Sequence, residues 1–200
     1  MKTQFYILLF CAAFLLLSCE QKENKPGFKI IDNKVGLSMV VPSSFSKLDD
    51  QTKNEQMHKG KRAIDKLHDS TFVLSDIQNV NMFSHNDNNM FLLNIQNYDQ
   101  DSQGDYKTAI NDANKLLYQT QIKNSPGIES DSVTSKEVID GIEFMKFTLN
   151  TKISENETMH MVNYHRLFNN KIDFTAAVIF TDERLGKKML KAFKAAKFKK

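Results

Sequence analysis

The chain has 200 residues, of which 26% are charged and 40% hydrophobic, with 27 lysines and arginines beside 24 acidic side chains. That near balance argues against a nucleic-acid or polyanion binder, which needs a concentrated basic face. Only Cys11 and Cys19 are present, both at the N-terminal end, so the body of the chain has no disulfide, zinc-thiolate site or iron–sulfur cluster.

From the N-terminus, Lys2 precedes an apolar run from Phe5 to Leu17. As a helix that run would reach roughly 20 Å, short of the ~30 Å hydrocarbon core of a bilayer, so it reads as the core of a signal peptide rather than a span. It ends in Leu16-Leu17-Ser18-Cys19, which resembles the lipobox of bacterial lipoproteins. The resemblance implies that the Cys19 sulfur receives a diacylglycerol, that cleavage makes Cys19 the first residue, and that its amino group takes a further acyl chain, commonly palmitate. Each buried methylene adds about 0.8 kcal/mol, so two or three chains anchor a protein where one does not. Lys2 leaves with the leader, and 26 basic residues remain beside 24 acidic ones. The expected layout is a signal peptide at 1–18, a lipidated cysteine and polar tether at 19–27, and one globular domain at 28–200. The domain would sit in the cell envelope, outside the cytoplasm. Glu20 stands where an aspartate retains many lipoproteins in the inner membrane, which favours the outer membrane.

The folded part opens with strands Phe28 to Asp32 and Leu37 to Val41, the second ended by Pro42. A first helix is expected from Lys53 to His68, with Thr52 and Glu55 as a capping box. Two strands, Val80 to His85 and Met90 to Tyr98, flank the turn-rich Asn86-Asp87-Asn88-Asn89. In the second, Phe91, Leu93 and Ile95 share a face. A helix from Asp105 to Gln121 follows, with Tyr106, Ala109, Ile110, Ala113, Leu116 and Leu117 at helical spacing.

After Ser125-Pro126-Gly127 the connections suit only hairpins. Ser135 to Ile139 turns at Asp140-Gly141 into Ile142 to Ile153, with Met145, Phe147 and Leu149 inward. Thr158 to Phe168 follows and turns at Asn169-Asn170 into Lys171 to Phe180. Thr181 is expected to cap a last helix with Asp182 and Glu183 in its first turn and Leu185, Met189, Ala192, Phe193 and Ala196 buried. Lys191, Lys194, Lys197, Lys199 and Lys200 read as a solvated helix face at the negative dipole end, or as a contact for anionic headgroups. The order ββ-α-ββ-α-ββββ-α predicts an α+β fold, an antiparallel sheet of about six to eight strands flanked by about three helices.

This layout resembles the PsbP-like fold. The features that carry the likeness are the opening strand ending in Val40-Val41-Pro42 with Phe45, the central helix, and a terminal meander followed by a short helix between Phe193 and Phe198. The group includes a photosystem II extrinsic subunit, a Ran-binding import factor and envelope lipoproteins of the DcrB-like kind. The resemblance implies an α/β/α sandwich and a non-catalytic docking role, and it supplies no catalytic residue.

Chemistry-bearing motifs are scarce. H-E-x-x-H, G-x-S-x-G, P-loop and G-x-G-x-x-G patterns do not occur in the sequence. His160 and His165, five apart on a strand, fall on opposite faces. His58 and His68 do not converge on a helix, and His85 ends a strand. Met159 and Met161 share a face and could offer soft ligands to Cu(I), although methionine is more often core filler. Asp49-Asp50 and Glu129 with Asp131 read as turn and cap carboxylates. Asp69-Ser70-Thr71 and Asp131-Ser132-Val133 resemble a short O-glycosylation sequon. The expectation is therefore no enzyme, no cofactor and no metal. It is a domain held by acylated Cys19 in membrane lipid, with a protein partner and no nucleic acid. The alternative is a binding protein for a small apolar or amphipathic ligand in a sheet–helix pocket.

Overall fold

A computed structural model describes residues 26–65 and 80–199. The lipobox, Cys19, most of the expected tether, His68 and Asp69-Ser70-Thr71 lie outside them. Ten strands and four helices run through the described residues: β1 (Phe28–Asp32), β2 (Leu37–Val41), β3 (Ser46–Lys47), α1 (Asp50–Asp65), β4 (Asn81–Asn86), β5 (Asn89–Asn97), α2 (Gln100–Gln103), α3 (Tyr106–Asn124), β6 (Ser130–Ile139), β7 (Ile142–Ser154), β8 (Glu157–Phe168), β9 (Ile172–Phe180), α4 (Glu183–Lys194) and β10 (Lys197–Phe198).

Seven strands form the main sheet in the order β3-β4-β5-β9-β8-β7-β6, and β1-β2-β10 form a separate three-stranded sheet. Every pairing is antiparallel. The opening hairpin thus joins the small sheet, and its partner β10 is a two-residue strand where the sequence suggests a lysine-rich helix end. Helix α4 stops at Lys194, because Lys199 N–H bonds Gly36 O and draws Lys197–Phe198 alongside β2.

Two hairpins of the meander turn as their residues dictate. Asp140 and Gly141 have φ of 50° and 77°, and Asn169 and Asn170 have 50° and 55°. Positive φ at both central positions is the twist-matched hairpin geometry that Asp, Asn and Gly adopt most readily. Two caps differ from expectation. Asp49, not Thr52, caps α1, accepting from Thr52 N at 2.8 Å and from its hydroxyl at 3.0 Å. Asp182, not Thr181, caps α4, accepting from Arg184 N and Leu185 N at 2.8 and 3.0 Å. In both, a carboxylate faces the positive end of the helix dipole, where it gains more than a hydroxyl does.

The two faces of the main sheet are covered differently. Phe91, Leu93 and Ile95 on β5, Phe174, Ala176, Val178 and Phe180 on β9, and Val162 and Tyr164 on β8 point toward α4 and the small sheet. They pack there with Leu37, Met39, Val41, Leu185, Met189, Phe193 and Phe198. Rings interlock in this core, with Tyr164–Phe193 centroids 4.9 Å apart and Phe144–Phe174 5.7 Å apart. Each such ring contributes about 1.5–3 kcal/mol by burial. Gly186 lets α4 settle on this face, since a Cβ there would run into the Phe180 ring.

On the opposite face, β5 must connect to β6 four strand spacings away, roughly 19 Å. Helix α3 spans about 28 Å by its 19 residues, enough to cross that width on a diagonal. It lies over the face that carries Asp173, His165 and Asn163, with α1 alongside it.

Candidate functional site

Register defines what lies under α3. Cross-strand partners share a face, so Gln96–Asp173–Leu167 form one row, Asn94–Thr175–His165–Met145 the next, Leu92–Ala177–Asn163–Phe147 the third, and Met90–Ile179–Met161–Leu149 the fourth. The first two rows are largely polar although the sheet interior is apolar elsewhere. The fourth is apolar and rich in methionine.

Tyr106, Ile110 and Asn114 on α3 are spaced by four, so one helical stripe meets these rows, and all three are buried. Tyr106 donates its hydroxyl hydrogen bond to Asp173 Oδ1 at 2.8 Å, while Gln96 Nε2 donates to Asp173 Oδ2 at 3.3 Å. Burial pushes the Asp173 carboxyl above the usual range even though bonds from Tyr106, Gln96 and Thr175 oppose it. Burial also raises Tyr106, and the Asp173 charge adds to the effect. Tyr98 meets Tyr106 edge to face at 5.0 Å and donates to Gly104 O at 3.0 Å. A shallow depression of about 510 Å³, open to solvent and lined by Tyr98, Asp99, Asp101, Lys171 and Ile172 among others, lies at this end of the sheet.

Further along, His165 Nδ1 lies 3.0 Å from Thr175 Oγ1, and burial pushes this imidazole down to about 4, so it is neutral at physiological pH. Among the described residues, its Nε2 has no hydrogen-bond partner, and neither do the Oδ1 atoms of Asn94, Asn114 and Asn163. Asn114, Asn163 and His165 are only 5%, 4% and 6% exposed. Four orphaned polar atoms in one layer are unusual, because an unsatisfied buried acceptor costs on the order of 1–3 kcal/mol. Beside them Met90, Leu92, Met159, Met161 and Ile179 are only half buried.

The histidines disperse. His160 and His165 do face opposite ways: His160 stacks on Phe180 at 4.9 Å and bridges Asn150 Oδ1 and Glu183 Oε1 at 2.8 and 3.2 Å. His85 Nδ1 donates to Ser44 O at 2.9 Å, and His58 is exposed on α1. Met159 and Met161 share the α3 face. Among the described residues, no three His, Cys, Asp or Glu side chains gather as metal ligands. Asp49 is a helix cap, Asp50 pairs with Lys53 at 2.6 Å, and Asp131 accepts from Asn150 Nδ2 at 3.1 Å. Asp131-Ser132-Val133 lies on the exposed edge strand β6. Lys194 and Lys197, expected on a solvated face, pair with Glu137 and Asp140.

Comparison with known proteins bears on the architecture. The solution structure of cyanobacterial PsbP (CyanoP) from Synechocystis sp. PCC 6803 matches over 92% of this chain and 99% of that one, with a TM-score of 0.53 and 12% identity. The chain has a PsbP-like fold. No protein-family model matches the sequence, and no curated protein does. At 12% identity the likeness concerns the fold alone, and the layer under α3 is described from this chain's own residues. Of that layer, the sequence pattern marks Tyr106, Ile110 and Met145 as inward-facing but gives no such mark to Asn94, Asn114, Asn163 or Asp173. Polar residues inside a strand or helix look solvent-facing until the strand order is known. In this PsbP-like fold the order β5-β9-β8 brings them into adjacent rows.

Proposed function

We propose that this protein is a non-catalytic accessory domain of the bacterial cell envelope, anchored through acylated Cys19 and docking a protein partner with the α3 face of its main sheet. The supporting observation is the unequal covering of the two faces. The α4 face is closed by a dense aromatic core, while the row Met90–Ile179–Met161 stays half buried beside α3. Methionine-rich apolar surfaces adapt to the shape of a partner, since the thioether side chain is flexible and polarisable. The PsbP-like fold is compatible with an accessory role.

A test is to cross-link living cells carrying tagged protein and purify it from solubilised membranes. Companion preparations would carry Cys19→Ala, or Met90→Gln with Met161→Gln. A stoichiometric partner that is lost in both companions supports the reading. A partner retained by the methionine variant would place docking elsewhere, and a clean monomer would count against docking altogether.

One observation favours a second reading, a small amphipathic ligand held between sheet and α3. The orphaned atoms of Asn94, Asn114, Asn163 and His165 would pair with a neutral hydrogen-bonding head group, and the methionine row would take an apolar tail. Native mass spectrometry after gentle extraction separates the two readings, since only the ligand reading predicts a small-molecule adduct.

A further inference from the structure

The small sheet has an outward face whose composition the docking surface does not use. Register places Lys29 opposite Val40, and Ile31 opposite Ser38, which in turn lies opposite Lys197. These five alternate with Ile30, Leu37, Met39 and Phe198, which are buried against the core, so they point away from it. Ile31 is 62% exposed and Val40 52% exposed, and as diagonal neighbours they form one apolar spot.

The exposed side chains beside that spot are mostly basic. Lys29 and Lys197 flank it on the sheet, and exposed Lys34 and Lys199 lie at its end. Two carboxylates lie nearby, Asp32 turned back onto its own turn and Asp140 paired with Lys197. Asp32 folds back to accept from Lys34 N and Val35 N at 2.8 and 3.2 Å, and Asp140 accepts from Lys197 Nζ and Phe198 N at 2.9 and 2.8 Å.

Chain geometry points the same way. A Cβ at Gly27 would stand 2.3 Å from Val41 O and 2.7 Å from Val40 Cγ1, so Gly27 lies close against the β2 strand that carries this face. Residues 19–27 can span at most ~30 Å, which keeps a domain tethered at Cys19 close to its bilayer. The face itself measures roughly 17 by 14 Å from strand length and spacing. That is well below the ~800 Å² per partner of a stable protein interface.

We propose that the outward face of the β1-β2-β10 sheet seats on the anionic surface of the bilayer that holds Cys19, with Ile31 and Val40 entering the headgroup layer and Lys29, Lys34 and Lys199 meeting lipid phosphates. The proposal rests on the lipid-anchor reading. It fixes the orientation of the domain, with the small sheet toward the membrane.

The test uses the full lipidated protein. Its mature chain has no thiol besides Cys19, whose sulfur is acylated, so Ile31→Cys and Val133→Cys each accept one polarity-sensitive fluorophore. Val133 is 56% exposed on β6 and serves as a control of matched exposure. Intact mass first establishes the acyl groups, and their absence would defeat the anchor reading by itself. Acylated protein is then placed in vesicles of phosphatidylcholine, with or without phosphatidylglycerol, carrying a lipid-borne quencher. The expected result is quenching at position 31 and not at position 133, dependent on phosphatidylglycerol and reversed by salt. Lys29→Gln and Lys34→Gln should each weaken the seated state about fivefold. Confirmed acylation with the position-31 probe as unquenched as that at 133 would overturn the proposal, as would equal quenching at both positions.

Discussion

Tyr106 on α3 donates a buried 2.8 Å hydrogen bond to Asp173 on β9, joining residues 67 apart in the chain and fixing one end of α3 to the sheet. Tyr106→Phe should cost roughly 1.5–3 kcal/mol in urea unfolding, because it withdraws a donor from a buried carboxylate. Asp173→Asn keeps an acceptor for Tyr106 without a charge to desolvate, so its loss at neutral pH should be smaller. The sign of the pH effect follows from the raised Asp173 pKa. The folded state holds that proton more tightly than the unfolded chain, so this group's contribution declines as pH rises from 3.8 through the folded value. Asp173→Asn should remove that decline.

His165 acts in the opposite direction. Burial lowers it from 6.5 to about 4, so between those values the unfolded chain binds a proton that the folded state refuses. Stability should fall as pH drops through this window, by on the order of 3 kcal/mol in full. Unfolding midpoints of His165→Gln should lose most of that slope. A second acid-sensitive step should follow below the ordinary glutamate range. Burial would raise Glu137, but bonds from Lys194, Lys146 and Tyr164 outweigh it and lower its pKa, so its contribution is lost as pH falls through that lowered value.

Gly186→Ala tests the closed face. Helix propensity alone would gain about 0.5–1 kcal/mol. The added methyl would press on the Phe180 ring at the base of α4, and overpacking of that kind costs about 1–3 kcal/mol. A net loss in thermal or denaturant unfolding is expected. A stabilised variant would mean that α4 does not sit as described.

Asp140→Ala tests how the two sheets are joined. Asp140 sits in the β6–β7 turn and accepts from Phe198 N at 2.8 Å, tying β10 to the end of the main sheet. Its removal should raise amide exchange at Lys197 and Phe198 selectively, with a loss of about 1–3 kcal/mol. Exchange unchanged at β10 would contradict the tie.

Much of this architecture was legible in the residues. Alternation in Leu37-Ser38-Met39-Val40-Val41 and in Ile172 to Phe180 marks strands with one buried face, and Asp140-Gly141 and Asn169-Asn170 mark their turns. The first half of β6, Ser130 to Thr134, reads as loop because it is an edge strand exposed on both sides, with no buried face to impose alternation. A separate small sheet could not be read, since Lys197-Phe198 is too short to show a period and its pairing with β2 is purely tertiary. The polar layer was hidden for a similar reason. Asn114 lies among Ala113, Leu116 and Leu117, and only the helix's seat on the sheet shows that Asn114 is the buried one.

The measurement that most directly tests an anchored docking domain is site-specific photo-cross-linking on intact membranes, with a photoreactive side chain at position 161 and, separately, at position 133 of β6. The account predicts a single discrete protein adduct from position 161, none from 133, and loss of the adduct when Cys19→Ala frees the chain from the membrane. Acylated, membrane-held protein that gives no adduct at 161, or the same adducts at both positions, would contradict it.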